Sequence, residues 1–510
     1  MKSKYLLLFL LIIYIIILRL LPILYWNEVY STDSWPILGI AAKVAKYTPS
    51  DIFSKPISDE YNVFWPLLIM FNVIYNTVLD LNIKFTSHLM TAIVSSTTFL
   101  AAFIFTRAVL QDTKLALIFS FLYSSLSSNL LMTASITKEA HALPFFFLIL
   151  CIYVKEKWRF KDLCLLAFLT IALTITHHLT SLIWLLIVTF TSIILVFKGA
   201  AFLKQRIIYL ALTYAIMGLH FYFLGAHGLR TIVNIDNVVS LIAFESFPLI
   251  IYVLGLIFYY GKNILWRFWI AALILCLVIL ALNPLPTNVL LQIQLCSIPL
   301  ILISFTGMLG YLRIPEGIGK TLITSWVLSN AFLVAYFYFT LPLGLELVLT
   351  ARSLNFLLIP ILLLFTARLS TMKNNYLLSM LAMLLVALLL TPYILSVFGN
   401  VEGFSEYFTY KQHETECYMW FSKNISCNES VLGDLKTRYA LKGFYGLQVD
   451  TAKLIECLRS GKCSLYAVLH WENIVYNRFY FNPIAVNYEV RCLNIPCKIY
   501  DSGMCIVCKA

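Results

Sequence analysis

The sequence predicts an all-α polytopic transmembrane bundle of about 13 helices, followed by a C-terminal extracytoplasmic domain of mixed α/β structure. Of its 510 residues, 61% are hydrophobic and only 12% are charged, which is far from the composition of a soluble chain. Apolar runs near the length of a bilayer-crossing helix recur through residues 1–398, and helices satisfy their backbone amides in hydrocarbon. Residues 399–510 are polar and rich in cysteine, and we expect them to form a separate domain.

The first apolar run, Tyr5 to Leu24, follows two lysines and lacks a small-residue cleavage site. It is also longer than the apolar region of a signal peptide, so we expect a retained first helix with its N-terminus in the cytoplasm. Clusters of Lys and Arg recur in short segments between later runs. When these basic loops are all placed inside, about 13 spans follow and the C-terminal domain lies outside. In a prokaryote this membrane would be the plasma membrane.

The formal net charge of +12 raises the question of a nucleic-acid partner. From residue 399 onward, 12 basic residues face 11 acidic ones, so the tail is nearly neutral. The basic excess lies in the short loops, where the positive-inside rule places it. The sequence therefore predicts membrane lipid as a partner and no nucleic acid.

A long first outer loop, residues 25–84, follows the first helix. Its segment Phe64 to Leu81 is apolar enough to resemble a span, but a crossing here would invert every later loop and place the basic clusters outside. We interpret it as an interfacial or re-entrant segment, preceded by the amphipathic stretch Pro36 to Tyr47. Because this loop is long and acidic, it is more than a connector.

The strongest local signal in this loop is Ser31-Thr-Asp33-Ser34-Trp-Pro36. Asp33 lies at the mouth of the bundle, where a carboxylate can act as a base or bind a metal. A second interpretation is structural: Asp33 or Ser34 before Trp-Pro is typical of a helix N-cap with proline in the first turn. The two roles are compatible.

A second polar segment, Thr133 to His141, is predicted to be the outer loop between the third and fourth spans. Lys138, Glu139 and His141 place an ammonium, a carboxylate and an imidazole within four residues. Ionisable groups are costly at such a depth, which favours a functional role. The alternative is a helix capped by Thr137 with Glu139 in its first turn.

Two further segments carry ionisable groups near outer helix ends. Adjacent His177 and His178 point about 100° apart on a helix, so we do not expect them to share one metal ion. Glu346 and Arg352 lie near the start of a late span, and the planar guanidinium of Arg352 suits a phosphate. Its alternative is snorkelling to lipid headgroups, and Arg19 in the first helix has the same two interpretations.

The tail contains two glycosylation sequons, at Asn424 and Asn428, which an outside location permits. Ser464–Val475 is an alternating stretch, and we expect strands at Phe479–Val486 and Lys498–Val507 and a helix near Asp450–Leu458. Because an outer compartment is oxidising, we prefer disulfides for its cysteines over a zinc site at the last four, with the connectivity open. The disulfide candidates are Cys417, Cys427, Cys457, Cys463, Cys492, Cys497, Cys505 and Cys508.

In layout the chain resembles the GT-C superfamily of membrane glycosyltransferases. Members have an acidic motif after helix one, here Ser31 to Pro36, and a second polar loop between helices three and four, here Thr137 to Glu139. They often have an extracytoplasmic C-terminal domain, and the stretch Gly433 to Gly446 is similar to that domain in archaeal members. Arg352 looks like a phosphate-contacting arginine.

The resemblance implies an enzyme that moves a sugar from a polyprenyl (dolichyl) phosphate donor to a protein, glycan or lipid acceptor. The protein-mannosyltransferase-like branch fits best, because the tail lacks the Trp-Trp-Asp-type motif of oligosaccharyltransferases. An oligosaccharyltransferase-like enzyme and a transporter or flippase for a lipid-linked sugar are the alternatives. A transporter would predict inverted repeats and broken helices.

The resemblance also implies roles for individual residues. Asp33 is the expected catalytic base, while Arg352, Lys138 and His177 are expected to bind the donor phosphate. Glu139 and Glu346 would give acidic support or hold a metal. Since the donor carries one phosphate, we expect no required cofactor, with an optional Mg²⁺ or Mn²⁺ at Asp33 and Glu139.

Overall fold

The structure is a computed structural model, and the bounds below refer to the residues that it describes. These are residues 2–45, 60–200, 202–225, 303–304, 307, 309–340, 345–372, 374–398, 408–425, 430–460, 466–470, 478–480, 485–487, 498–501 and 505–509. The spans expected over residues 226–302 lie outside this set.

The chain divides into two compact units, and the division falls within helices. Unit 1 comprises residues 1–12, 96–129 and 142–392, and unit 2 comprises residues 13–95, 130–141 and 393–510. Unit 2 therefore groups the whole first outer loop with the tail. The expected boundary of a separate domain after residue 398 remains a prediction, and the compact units cut the chain elsewhere.

Where it is described, the apolar part of the chain is mostly helical. The bounds of its helices are α1 Lys2–Trp26, α2 Ser34–Val44, α3 Glu60–Val63, α4 Leu67–Leu79, α5 Ile83–Leu110, α6 Thr113–Ser124, α7 Ser127–Thr133, α8 Lys138–Tyr153, α9 Phe160–Thr176, α10 His178–Phe197, α11 Leu203–His220, α12 Ile318–Thr340, α13 Leu345–Leu369 and α14 Asn375–Val397. A 3-10 turn, Leu309–Arg313, precedes α12.

Six of the described helices are long and apolar enough to cross a membrane, or seven if the bent pair α6 and α7 forms one span. Shorter apolar helices include α4, which has 13 residues. A span needs about 20 residues, so α4 has the length of an interfacial segment rather than a crossing. The predicted total of about 13 spans is thus neither reached nor excluded by the described residues.

Unit 1 is held together by aromatic side chains in its core. Phe146 of α8 packs edge to face against Trp184 of α10, Trp326 of α12 and Phe356 of α13, with ring centroids 5.2–6.1 Å apart. Each of these rings is at most 1% exposed. Because such edge contacts favour one geometry, these rings fix how the four helices pack within this unit.

The tail contains the helices α15 Gln412–Asn424, α16 Leu435–Arg438 and α17 Thr451–Ser460. Its strands are β1 Ser430–Leu432, β2 Gln448–Asp450, β3 Tyr466–His470, β4 Arg478–Tyr480, β5 Ala485–Asn487, β6 Lys498–Asp501 and β7 Cys505–Lys509. Five strands form one mixed sheet in the order β2-β1-β3-β7-β6, while β4 and β5 pair with each other. Two of the stretches predicted as single strands are therefore antiparallel pairs.

Within unit 2 the outer loop packs directly on the tail. Trp35 of α2 is fully buried against Tyr410 and Phe444, with ring centroids 5.2 and 5.4 Å away. A Cβ added at Gly443 would lie 2.9 Å from the Pro36 Cα, so glycine permits this close approach of two backbones. Motif Ser31–Pro36 and stretch Gly433–Gly446 are consequently two sides of one hydrophobic core.

A polar bridge joins the same two parts of unit 2. The Lys84 Nζ lies 2.8 Å from one carboxylate oxygen of Glu28, and the Thr415 hydroxyl donates to the other at 2.8 Å. Burial raises the pKa of Tyr445 to about 12, and the charge of Glu28 adds to that increase. These contacts fix the start of the outer loop against α15 of the tail.

Candidate functional site

The first motif forms a turn into α2, and its carboxylate is not used as a helix cap. Asp33 occupies the N-cap position with φ −63° and ψ −21°, and its side chain makes no capping hydrogen bond. An N-cap side chain that reaches the first-turn amides normally sits on extended backbone. The helical backbone of Asp33 explains why the capping interpretation does not hold for its side chain.

Ser34, the next residue, connects the first motif to the second. Its hydroxyl donates to the Tyr30 carbonyl at 2.7 Å and accepts from the Ile136 backbone amide at 3.0 Å. Ser34 and Ile136 are both fully buried. Because 102 residues of chain separate them, this bond brings together two loops that the sequence only suggested to be related.

The second motif behaves as its structural interpretation predicted. The Thr137 hydroxyl accepts from the Ala140 amide at 3.2 Å, so it caps α8, which begins at Lys138. Glu139 lies in the first turn of α8, where its charge suits the helix dipole. Lys138 and Glu139 are 9% and 4% exposed, so both charges are held inside unit 2.

Four aromatic residues of the outer loop surround the second motif, and the sequence analysis did not identify them. The Lys138 Nζ lies 3.8 Å from the Tyr61 ring centroid and 5.0 Å from that of Trp65. Phe71 and Tyr75 of α4 stack on the His141 ring at centroid distances of 5.9 and 6.4 Å. The signal in the sequence is two pairs of aromatic residues, each spaced by four.

The other predicted residues belong to unit 1. His177 is 1% exposed, lies at the break between α9 and α10, and its Nδ1 is 2.7 Å from the Thr180 hydroxyl. Arg352 is half-buried two turns into α13, which begins earlier, at Leu345. Glu346 lies in the first turn of α13. The roles expected for these residues at the donor phosphate stay predictions.

The donor set for a metal ion is small. Among the residues that the structure describes, no three His, Cys, Asp or Glu side chains come together as a metal-binding group. Asp33 and Glu139 alone supply fewer oxygen ligands than Mg²⁺ or Mn²⁺ requires, so other ligands would have to complete the shell. The described residues alone therefore do not form a metal centre, and no chemical step is assigned to one.

Two residues of the tail stretch Gly433–Gly446 have structural roles. Lys436 forms a buried ion pair with Glu414, with its Nζ 2.9 Å from both carboxylate oxygens and both side chains 1% exposed. Asp434 caps α16 by accepting from the Thr437 amide at 3.0 Å. Cys417 of α15 is buried and disulfide-bonded. The side chains of the other seven candidate cysteines lie outside the described residues.

No protein-family model matches the chain, and no curated protein matches it. The chain is, however, similar to solved structures. The oligosaccharyltransferase of Archaeoglobus fulgidus, in complex with Zn and sulfate, has 13% identity and a TM-score of 0.55, over 91% of this chain and 68% of that one. ArnT from Cupriavidus metallidurans, bound to undecaprenyl phosphate, has 9% identity and a TM-score of 0.51, over 98% and 97%.

The apo state of the same ArnT gives a TM-score of 0.50 at 9% identity, over 99% of this chain and 98% of that one. Both neighbours are GT-C glycosyltransferases, and the likeness supports the GT-C fold for this chain. With its apolar helices, the chain is a multi-pass integral membrane protein. At these identities the likeness establishes the fold alone.

Proposed function

We propose that this protein is a glycosyltransferase that moves a sugar from a polyprenyl phosphate to an acceptor on the outer membrane face. The main observation behind the proposal is that the Ser34–Ile136 hydrogen bond joins the Asp33 loop to the Lys138 loop. In addition, the Asp33 carboxylate is not used to cap α2. A potential base and a buried cation therefore belong to neighbouring loops. The GT-C fold supports the same chemistry.

In this reaction Asp33 is the general base. The acceptor hydroxyl transfers its proton to the Asp33 carboxylate while its oxygen bonds to the anomeric carbon of the donor sugar. The bond between that carbon and the phosphate oxygen breaks, and its electron pair leaves with the polyprenyl phosphate. The proton then passes from Asp33 to water.

The departing phosphate gains negative charge, which cations stabilise in a desolvated site. Arg352 suits this role through its planar guanidinium, and Lys138 and His177 assist it. Glu139 and Glu346 provide acidic support, Glu139 from the first turn of α8 beside Lys138. The donor is a monosaccharide on a dolichyl or related polyprenyl phosphate, and the acceptor is a protein, glycan or lipid.

The proposed topology places the N-terminus in the cytoplasm and residues 399–510 outside, as a cysteine-rich α/β domain. The short length of α4 supports it, because a crossing there would move the basic loops outside. In an oxidising outer compartment the tail cysteines form disulfides, of which the bond at Cys417 is one.

The main alternative is an oligosaccharyltransferase-like enzyme, because the chain also resembles an oligosaccharyltransferase in fold. The two functions differ in the donor. Purified protein in proteoliposomes would be offered a panel of polyprenyl-phosphate monosaccharides and, separately, pyrophosphate-linked oligosaccharides, with peptide, glycan and lipid acceptors. Transfer from a monosaccharide phosphate is expected.

Transfer only from the oligosaccharide donors would establish the alternative instead. Movement of labelled lipid-linked sugar between leaflets without a new glycosidic bond would identify a transporter. Absence of transfer from every monosaccharide phosphate in the panel contradicts the proposal.

A further inference from the structure

The outer-loop segment 60–79 touches the second motif at two separate points. Tyr61 and Trp65 contact the Lys138 ammonium, and Phe71 and Tyr75 stack on His141. Lys138 and His141 are one turn apart at the start of α8. Four aromatic rings of the segment therefore contact the first turn of α8.

The contact at Lys138 is a close cation–π arrangement. Its Nζ is 3.8 Å from the Tyr61 ring centroid, well within the range of about 6 Å over which such attraction acts. The Trp65 ring lies 5.0 Å from the same Nζ and 5.0 Å from the Tyr61 ring, and it is fully buried. Two electron-rich ring faces thus hold one ammonium.

The contact at His141 anchors the segment. His141 is fully buried, and the Phe71 and Tyr75 rings lie nearly parallel to its ring, at interplanar angles of 29° and 28°. Phe71 and Tyr75 also stack on each other at 5.8 Å, and both belong to α4. The same outer-loop segment therefore contacts α8 at a second point, one turn after Lys138.

We propose that the outer-loop segment 60–79 positions the Lys138 ammonium for the donor phosphate, with Tyr61 as the principal positioning residue. The proposal rests on the glycosyltransferase function above and adds to it the element that orders the lysine. Tyr61 acts through Lys138 and does not itself touch the reacting atoms.

The physical reason is that lysine has a long flexible side chain whose ordering opposes binding. An aromatic face attracts the charge of an ammonium. Tyr61 and Trp65 therefore order the Lys138 ammonium before the phosphate binds.

The expected consequence is mainly a loss of donor affinity, because the donor phosphate is already charged in the ground state and the ordered ammonium binds it there. Tyr61→Leu should raise the donor KM by about three- to tenfold, the range that a partly buried cation–π contact supplies. Its kcat should change by less than about twofold, since Asp33 is untouched.

The test compares full-length variants in proteoliposomes with a polyprenyl-phosphate sugar as donor. Tyr61→Phe keeps the ring and should recover most of the affinity lost in Tyr61→Leu. Tyr222→Leu, which removes a 78% exposed tyrosine elsewhere, should match the wild type. In a Lys138→Met background, adding Tyr61→Leu should raise the donor KM no further, because Tyr61 acts through the lysine.

The proposal would be overturned if the two substitutions raised the donor KM multiplicatively in the double variant. It would also be overturned if Tyr61→Phe and Tyr61→Leu lost the same donor affinity. A fall in kcat at unchanged KM would overturn it as well. Each of these results would mean that Tyr61 supports the fold or the chemistry independently of Lys138.

A second readout separates this inference from the proposed function, because it needs no transfer. Acylation of Lys138 by an amine-reactive reagent would be followed by mass spectrometry, with and without undecaprenyl phosphate. Protection of Lys138 in the wild type that weakens in Tyr61→Leu supports the positioning role even if no sugar is transferred. No protection in the wild type contradicts it, whatever the transfer assay shows.

Discussion

The two outer loops of this protein look alike in sequence but use their polar side chains differently. Each places a possible cap before a helix, Asp33 before α2 and Thr137 before α8. In the structure the Thr137 hydroxyl accepts from a first-turn amide, whereas the Asp33 carboxylate makes no capping bond. A neutral cap at Thr137 leaves Lys138 and Glu139 to other contacts. The carboxylate at Asp33 likewise makes no capping hydrogen bond to α2.

The difference shows why a capping pattern is an incomplete explanation of a charged residue. A cap needs extended backbone so that its side chain can turn back to the helix. Asp33 has helical backbone instead, because its loop is fixed by other bonds. The Ser31 amide donates to the Phe408 carbonyl at 2.7 Å, and Ser34 is held between Tyr30 and Ile136. Tertiary contacts therefore decide how the local pattern is used.

Apart from the loss of the base itself, the largest effect is expected when a cation outside both loops is removed. Arg352→Ala should reduce kcat/KM for the donor by about ten- to a hundredfold, which is the range for losing hydrogen bonds to a charged group. Steady-state transfer assays in proteoliposomes would measure it. Arg368→Ala, near the other end of α13, is the matched control and should cost little. Equal losses in the two variants would mean that Arg352 only supports the helix.

The next effect concerns the bond that joins the loops. Ser34→Ala leaves the buried Ile136 amide without its acceptor, which should lower the free energy of unfolding by about 1–3 kcal/mol. Ser87→Ala is the control, because Ser87 is buried and its hydroxyl has no hydrogen-bond partner among the described residues. Thermal unfolding in detergent would compare them. An equally stable Ser34→Ala would remove the link between the two loops.

Substitutions at the two N-cap positions should change the free energy of unfolding by smaller and unequal amounts. Thr137→Ala should destabilise the protein by about 1 kcal/mol, as the loss of an N-cap does, whereas Asp33→Ala should change stability by less than about half of that. Thermal unfolding of the two variants tests the comparison directly. If Asp33→Ala is as destabilising as Thr137→Ala, the contrast between the loops is wrong.

Local features of the fold could be predicted from the sequence. The Thr137 cap and the start of α8 follow from local residues, and so does helix α17 in the tail. The apolar segment Phe64–Leu81 contains a 13-residue helix, α4, rather than a full-length span. These features depend on neighbours within a few positions, which the sequence contains.

Features that depend on distant contacts could not be predicted. The sequence predicts one strand over Lys498–Val507, yet this stretch contains parts of two antiparallel strands, because a preference for strand does not record a reversal of direction. The aromatic contacts to Lys138 and His141 were missed for a similar reason. Tyr61, Trp65, Phe71 and Tyr75 looked like ordinary apolar residues of an interfacial segment, and only the fold brings them to α8.

The account rests on Asp33 acting as a base, and one substitution tests this most directly. Asp33→Asn is nearly isosteric and removes the carboxylate, so transfer from a polyprenyl-phosphate sugar should fall by about a hundredfold or more, as expected when a general base is lost. Donor binding and thermal stability should stay close to those of the wild type. Asp80→Asn, which changes an exposed acid of the same loop, should transfer normally.

Both variants would be reconstituted side by side with the wild type and assayed with the same donor and acceptor. A large loss confined to Asp33→Asn, with donor affinity retained, is the result that the account predicts. Near-normal transfer by Asp33→Asn would contradict it and remove Asp33 from the mechanism.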